Sequence, residues 1–404
     1  MPMPTYAIQY LEDSPQVAAL PVRAARERLR DAFSRLPLDM VLIGWRLPEA
    51  LLDVCAEECE RAGAALYRWH PLLTSDGTFM PRVEWGVIGL DGMPIPGFRN
   101  MPEFTFVCPN RAGAASAVLD NLDRALAGGR YRGVFLDRIR WPSPAADPAR
   151  HLGCFCPGCQ RAAAEDGLDL VAAREQLIGL LDAPGGPARF ARILLDPEYA
   201  QGKAVPPLIR ALMTFRVRSV TAFVERAIGI ARARGLAVGL DGFSPALAHM
   251  VGQDLAALDR GADWTKIMSY GHTLGPAGMP FELLGLADWL VERGQLAESE
   301  TLRALAAATR LPLPAGREAL RREGLPSQAL QREVERARAG GLRTLLAGIE
   351  LVDIAGITAL DKAQIRADLA AFRAGGADGL ALSWDLWEIP LERLDLVREV
   401  WEDQ

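Results

Sequence analysis

Eight short apolar runs, separated by stretches of helical periodicity, constrain this chain more than any other feature of its sequence. They are MVLIGW (40–45), AALYRWHP (64–71), FTFVCPN (104–110), GVFLDRIR (133–140), LAVGLDGF (236–243), WTKIMSY (264–270), RTLLAGIE (343–350) and GLALSWDLW (379–387). Each is nearly continuous and closes in polar or aromatic residues, as parallel strands do when both faces are buried. The segments between them, such as PEALLDVCAEECERAG and AASAVLDNLDRALAGG, show helical apolar spacing and stop at glycine. Eight such strand–helix units in 404 residues predict an α/β chain folded as one (β/α)8 TIM barrel over 1–404. An extension over 1–38, with a strand-like YAIQY and a helix, is expected to cover the barrel's edge. Insertions are expected near 72–103, 145–205 and 285–340, the first containing a β-hairpin around Leu90, Asp91 and Gly92.

Half of the residues are hydrophobic, enough for a large core. The net charge of −6 is spread along the chain, so neither a nucleic-acid patch nor a basic membrane-binding face is expected. No run of eighteen apolar residues occurs, which argues against a membrane span. The opening MPMPTYAIQYLEDSP has no basic start followed by an apolar stretch, so a cytoplasmic protein is expected. Self-association is left open.

In a barrel of this kind, chemistry sits at the C-terminal ends of the strands. Those ends offer Trp69 and His70, Asp137 with Arg138 and Arg140, Asp241, Tyr270 followed by His272, Glu350, and Trp384, Asp385 and Trp387. Carboxylates beside tryptophans suit sugars, which present apolar ring faces and hydroxyls together. Asp137 and Glu350 are the candidate catalytic pair. A separation of about 5 Å would support retention of configuration, and about 6.5–9.5 Å inversion. Each residue also has a plainer role open to it: Asp137 as an ion-pair partner of Arg138 or Arg140, Glu350 as a loop cap, Asp241 as a turn former, and the histidines as packed side chains. Trp45, Trp141 and Trp264 read as packing. Lys266, inside an apolar strand, needs a carboxylate partner and allows a Schiff-base alternative.

Four cysteines stand apart. Cys154, Cys156 and Cys159 form C-x-C-x2-C on a turn-rich loop, and Cys108 lies in FTFVCPN. Four thiolates suit a tetrahedral soft-ligand metal, zinc above all, and a closed set of four makes it structural rather than catalytic. A disulfide or a chance grouping is the alternative. Cys55 and Cys59, four apart, read as one buried helix face.

This cysteine pattern resembles the zinc site of glycoside hydrolase family 42 β-galactosidases. RGVFLDRIRWPSP and GLALSWDLWEIP resemble segments of uncharacterised glycosidase-like barrels. The resemblance implies Cys108, Cys154, Cys156 and Cys159 as zinc ligands and Glu350 as nucleophile. Family 42 enzymes carry an Asn-Glu pair after their fourth strand, whereas this chain has Asp137-Arg138 there. Asp137 is therefore the expected general acid, with Asp241 or Asp385 as alternatives in that role, and Glu350 the nucleophile or base. Trp69, His70, Asn110, Arg140, Asp241, Tyr270, His272, Trp384, Asp385 and Trp387 are expected around the carbohydrate. Two alternatives remain: a carbohydrate-binding barrel without catalysis, and a lyase or aldolase using Lys266.

Overall fold

The computed structural model describes residues 5–12, 15–77, 79–294 and 296–402. Eight parallel strands close into a barrel in strict chain order. They are β1 (Thr5–Tyr10), β2 (Met40–Ile43), β3 (Ala65–Pro71), β4 (Gly133–Asp137), β5 (Ala237–Gly242), β6 (Trp264–Ile267), β7 (Leu345–Glu350) and β8 (Gly379–Ser383). Closure is made by β1 against β8, with Ile8 opposite Leu382. No helix among the described residues is long and apolar enough to cross a membrane.

One of the eight expected strands is not in the barrel. FTFVCPN contributes only a single antiparallel bridge, Val107 with Gly86, plus a bond from the Val107 N–H to the Leu73 carbonyl. Its place is taken by Thr5–Tyr10, which was expected at the edge and is instead β1. The physical reason lies in composition. Both runs are short and apolar, but TYAIQY carries a polar Gln9 that masks a buried strand, and apolarity alone does not reveal which run finds partners. The expected hairpin shrinks likewise to one bridge, Ile88 with Pro94, around a turn in which Gly92 has a φ of 82°.

Alternation along the strands sends every second side chain into the lumen. The lower lumen is filled by Ala7, Met40, Leu42, Tyr67, Phe135, Trp264, Leu346 and Ala381. Phe135 and Trp264 stack at 5.2 Å, and Tyr67 meets Trp264 edge-on at 5.7 Å. Large rings on some strands require glycine on their neighbours. A Cβ on Gly239 would lie 2.1 Å from the Trp264 ring, and one on Gly133 2.2 Å from Tyr67. This apolar plug leaves the upper layer (Gln9, Trp69, Asp137, Asp241, Lys266, Glu350 and Ser383) as a polar ring above a water-poor floor.

The helical layer follows the expected breaks. Helices Glu298–Thr309, Arg317–Glu323 and Ser327–Ala339 are separated at LPLPAG and GLPS. The long insertion after β4 packs five short helices before helix Pro207–Ala233, which begins with Pro at its first position. Cys55 and Cys59 lie on the buried face of helix Glu49–Ala62. Trp45, Trp141 and Trp264 are buried as packing residues.

Candidate active site and metal centre

Asp137 ends β4 and faces the mouth. Its Oδ2 accepts a hydrogen bond from Trp69 Nε1 at 3.0 Å, and its Oδ1 one from the Arg138 backbone N–H. Trp69 is itself held edge-on against Trp45, 5.2 Å between ring centres. Arg138 adopts a φ of 54°, a left-handed conformation that a side chain tolerates only when its surroundings over-determine it. Here they do: its guanidinium donates to Thr74 Oγ1 at 2.8 Å and the Glu103 carbonyl at 2.6 Å, and packs over Phe104. Its Nε stays 4.0 Å from Asp137 Oδ2, so Arg138 braces the loop more than it binds the acid.

Lys266 is fully buried, as its place inside β6 demands, and finds the carboxylate it needs in Asp241 at 3.2 Å. It also donates to Gln9 Oε1 at 3.2 Å and faces the Phe135 and Tyr270 rings. The Tyr270 hydroxyl donates to Ser383 Oγ at 3.0 Å, and Ser383 donates to Gln9, closing a network across β1, β5, β6 and β8. Burial works against the Lys266 charge, but Asp241 and Tyr270 reverse the balance and raise its proton affinity. Asp241 is pushed up to about 7 by burial, which outweighs the attraction of Lys266; the Asp137 charge adds to the rise. Its Oδ1 has no partner among the described residues.

Glu350 closes β7, is 3% exposed, and accepts the His272 backbone N–H at 2.8 Å. Burial pushes its carboxyl up to about 7, although His272 works the other way. The His272 ring turns from the mouth: Nε2 lies 3.0 Å from Asp368 Oδ2, and Nδ1 3.0 Å from the Glu323 carbonyl. It serves Glu350 through its backbone, not its ring.

The other expected contacts divide. Trp384 is half-buried beside Tyr270, 6.1 Å between ring centres, and remains at the mouth; Trp387 is half-buried. Arg140 is buried, 4.9 Å from the ring centres of both Phe106 and Phe243. His70 points out of the lumen beside Arg68, as alternation from Trp69 requires. Burial, with help from the Arg68 charge, depresses it to about 3 and keeps it neutral. Asn110 lies at the cysteines. Asp385 is a clasp: its carboxylate accepts the backbone N–H groups of Leu11 and Trp387 at 2.9 Å and of Glu12 at 2.8 Å. Asp385→Ala should therefore cost about 3 kcal/mol in urea unfolding, because three donors lose their acceptor; a loss below about 0.5 kcal/mol would refute the clasp.

Gln9 and Ser383 were missed as members of the mouth. Their signal was a polar residue at a lumen-phase position in an otherwise apolar run, readable only once Thr5–Tyr10 is known to be a strand.

The four cysteines meet between the loops after β3 and β4. The sulfurs of Cys108, Cys154, Cys156 and Cys159 all lie within 4.8 Å of one another and are buried. Cys108 and Cys159 are 3.4 Å apart, and Cys108 and Cys156 3.6 Å. All six cysteines of the chain are unpaired. A tetrahedron with sulfur about 2.3 Å from its centre has edges of about 3.8 Å, so the group has the size a metal ion needs. Three of the sulfurs also accept N–H donors, as thiolate ligands do: Cys154 from Ile88, Cys156 from Cys159, and Cys159 from Asn110 Nδ2. Arg216, buried, donates to the carbonyls of Gly153 at 2.9 Å and Met250 at 3.0 Å, tying the cysteine loop to helix Pro207–Ala233.

No family model matches the sequence, and no curated protein matches it. Among solved structures, the whole chain aligns with all of the glycoside hydrolase domain of PgaB (BpsB) from Bordetella bronchiseptica, at a TM-score of 0.56 and 15% identity. It also aligns over 99% of its length with alpha-L-fucosidase isoenzyme 2 from Paenibacillus thiaminolyticus, at 0.55 and 12%, spanning 49% of that chain. At these identities the likeness is one of fold: this chain shares its (β/α)8 barrel with both proteins.

Proposed function

We propose that this chain is a glycoside hydrolase working at the barrel mouth, with Asp137 and Glu350 as its carboxyl pair and a structural zinc held by Cys108, Cys154, Cys156 and Cys159. The observation that carries the proposal is Glu350, a lumen-facing carboxyl at the end of β7 that burial pushes up to about 7. Such a group keeps its proton near neutrality, which a general acid needs if it is to protonate a leaving glycosidic oxygen. Asp137, surrounded by the donors of Trp69 and Arg138, is then the base or nucleophile. These roles reverse those expected from the resemblance to family 42. Trp384, half-buried beside Tyr270, supplies an aromatic face for a sugar, and the fold shared with a glycoside hydrolase domain supports the class. An imine at Lys266 is disfavoured, since an amine nucleophile must shed the proton that Asp241 holds on it. Zinc in the cysteine group would fix the two loops beside β4; it takes no part in the reaction.

The test is hydrolysis of a broad panel of aryl glycosides and oligosaccharides. Glu350→Gln and Asp137→Asn should each lower kcat by about 10²–10⁴-fold, and wild-type activity should fall as pH rises through about 7 and Glu350 gives up its proton. If both variants hydrolyse the panel as well as wild type, the pair is wrong. Saccharide binding without turnover would instead mark a carbohydrate-binding barrel.

A further inference from the structure

Beside the mouth, on the β4 side, is a cavity of about 290 Å³ whose lining includes Phe98, Phe104, Phe281, Glu282 and Arg140. Arg140 joins it to the candidate catalytic residues: burial opposes its charge, and the carboxylates that support it are Glu282 first, then Asp137 and Asp241. Arg140 is 7% exposed, and no carboxylate forms an ion pair with it among the described residues. Among the described residues its one side-chain hydrogen bond runs from Nη1 to the Trp141 carbonyl at 3.1 Å. Nε is buried without a partner among the described residues. Nε and Nη2, the edge of the fork that matches a planar carboxylate with two parallel hydrogen bonds, thus make no hydrogen bond among the described residues.

A buried guanidinium stays charged, and leaving it unpaired is costly unless something binds there. The acid that lines the cavity, Glu282, is already engaged: it accepts from Ser143 Oγ and from the Ala277 N–H, and its burial raises its proton affinity. Arg99, at the rim over Phe98, adds a second cation. The walls opposite are apolar, with Phe98 edge-on to Phe104 at 6.1 Å and to Phe281 at 5.7 Å.

We propose that this cavity is a substrate subsite for a carboxylate-bearing sugar, such as a uronic acid unit. The sugar's carboxylate meets the Nε–Nη2 edge of Arg140 and its ring packs on the phenylalanines. The proposal rests on the glycosidase reading of the mouth and narrows its substrate to acidic glycans.

The experiment is calorimetric titration of wild type, Arg140→Met and Arg140→Lys with uronate-containing trisaccharides, their methyl esters, matched O-sulfated trisaccharides and neutral ones. Wild type should bind a uronate trisaccharide at least about tenfold more tightly than its methyl ester. Arg140→Met should remove that difference, and Arg140→Lys should restore only part of it, since an ammonium is a point charge without the fork. An ester or neutral sugar bound as tightly as the acid overturns the subsite and leaves the hydrolase intact. A preference for the sulfated sugars overturns the carboxylate assignment. Failure to bind any saccharide overturns both proposals. Should Arg140→Met not fold, the comparison of acid with ester on wild type decides alone.

Discussion

Lys266→Met should destabilise the protein by about 3–5 kcal/mol at pH 8, because it strips a buried carboxylate of its only cation within 4 Å among the described residues. The sign with pH follows from Asp241. Its carboxyl stands at about 7 in the folded protein, above the ordinary carboxylate range, so the folded state keeps a proton that the unfolded chain gives up. The stability that proton contributes is fully present below about pH 4 and is lost as pH rises through about 7. Without Lys266 the shift grows, so the cost of the substitution should be largest above neutrality and should shrink on acidification. Adding Asp241→Asn should recover much of the loss by removing the orphaned charge. Urea unfolding of the single and double variants at pH 5 and pH 8 measures both effects. A loss under about 1 kcal/mol at pH 8 would mean the pair is not the keystone that its burial implies.

Cys156→Ser should empty the metal centre and lower Tm by about 5–10 °C. Sulfur 156 caps the helix Pro157–Glu165 and stands 3.6 Å from Cys108, so its loss opens a tetrathiolate set and unties two loops at once. In a chain of this length about 1 °C corresponds to a little under 1 kcal/mol, so such a shift is a loss of several kcal/mol. Metal analysis of protein made with zinc supplied should give about one zinc per chain for wild type and almost none for the variant. Wild type purified metal-free, with undiminished stability, would defeat the zinc assignment. Iron in place of zinc would correct the metal while keeping the site.

The barrel could be anticipated from seven of its eight strands because each is a buried parallel run, and burial on both faces leaves a mark in composition. The eighth failed in an instructive way. Gln9 interrupts the apolarity of β1 because it has a task in the lumen, bonding Lys266 and Ser383. FTFVCPN reads as a strand because Phe106, Val107 and Cys108 are buried although the run does not join the barrel. The cysteines themselves were legible, since short spacing on a bent loop holds three sulfurs close whatever the rest of the chain does. Side-chain direction was not. Trp69 and His70 are neighbours in sequence yet face opposite sides of β3, and only the register of the sheet decides which one sees the mouth. Asp385 looked like a rim acid, but the backbone N–H groups of Leu11 and Glu12 claim it. Those partners lie at the other end of the sequence.

The seam between β1 and β8 also bears on how the chain is made. On the ribosome β1 gains β2 early, but its other edge has no partner until residues 379–383 emerge. At about 5–20 residues per second this is a wait of roughly 20–75 s. Through that interval TYAIQY is an open edge able to pair with a neighbouring nascent chain. The last strand of the barrel to be made therefore closes it and also covers this edge.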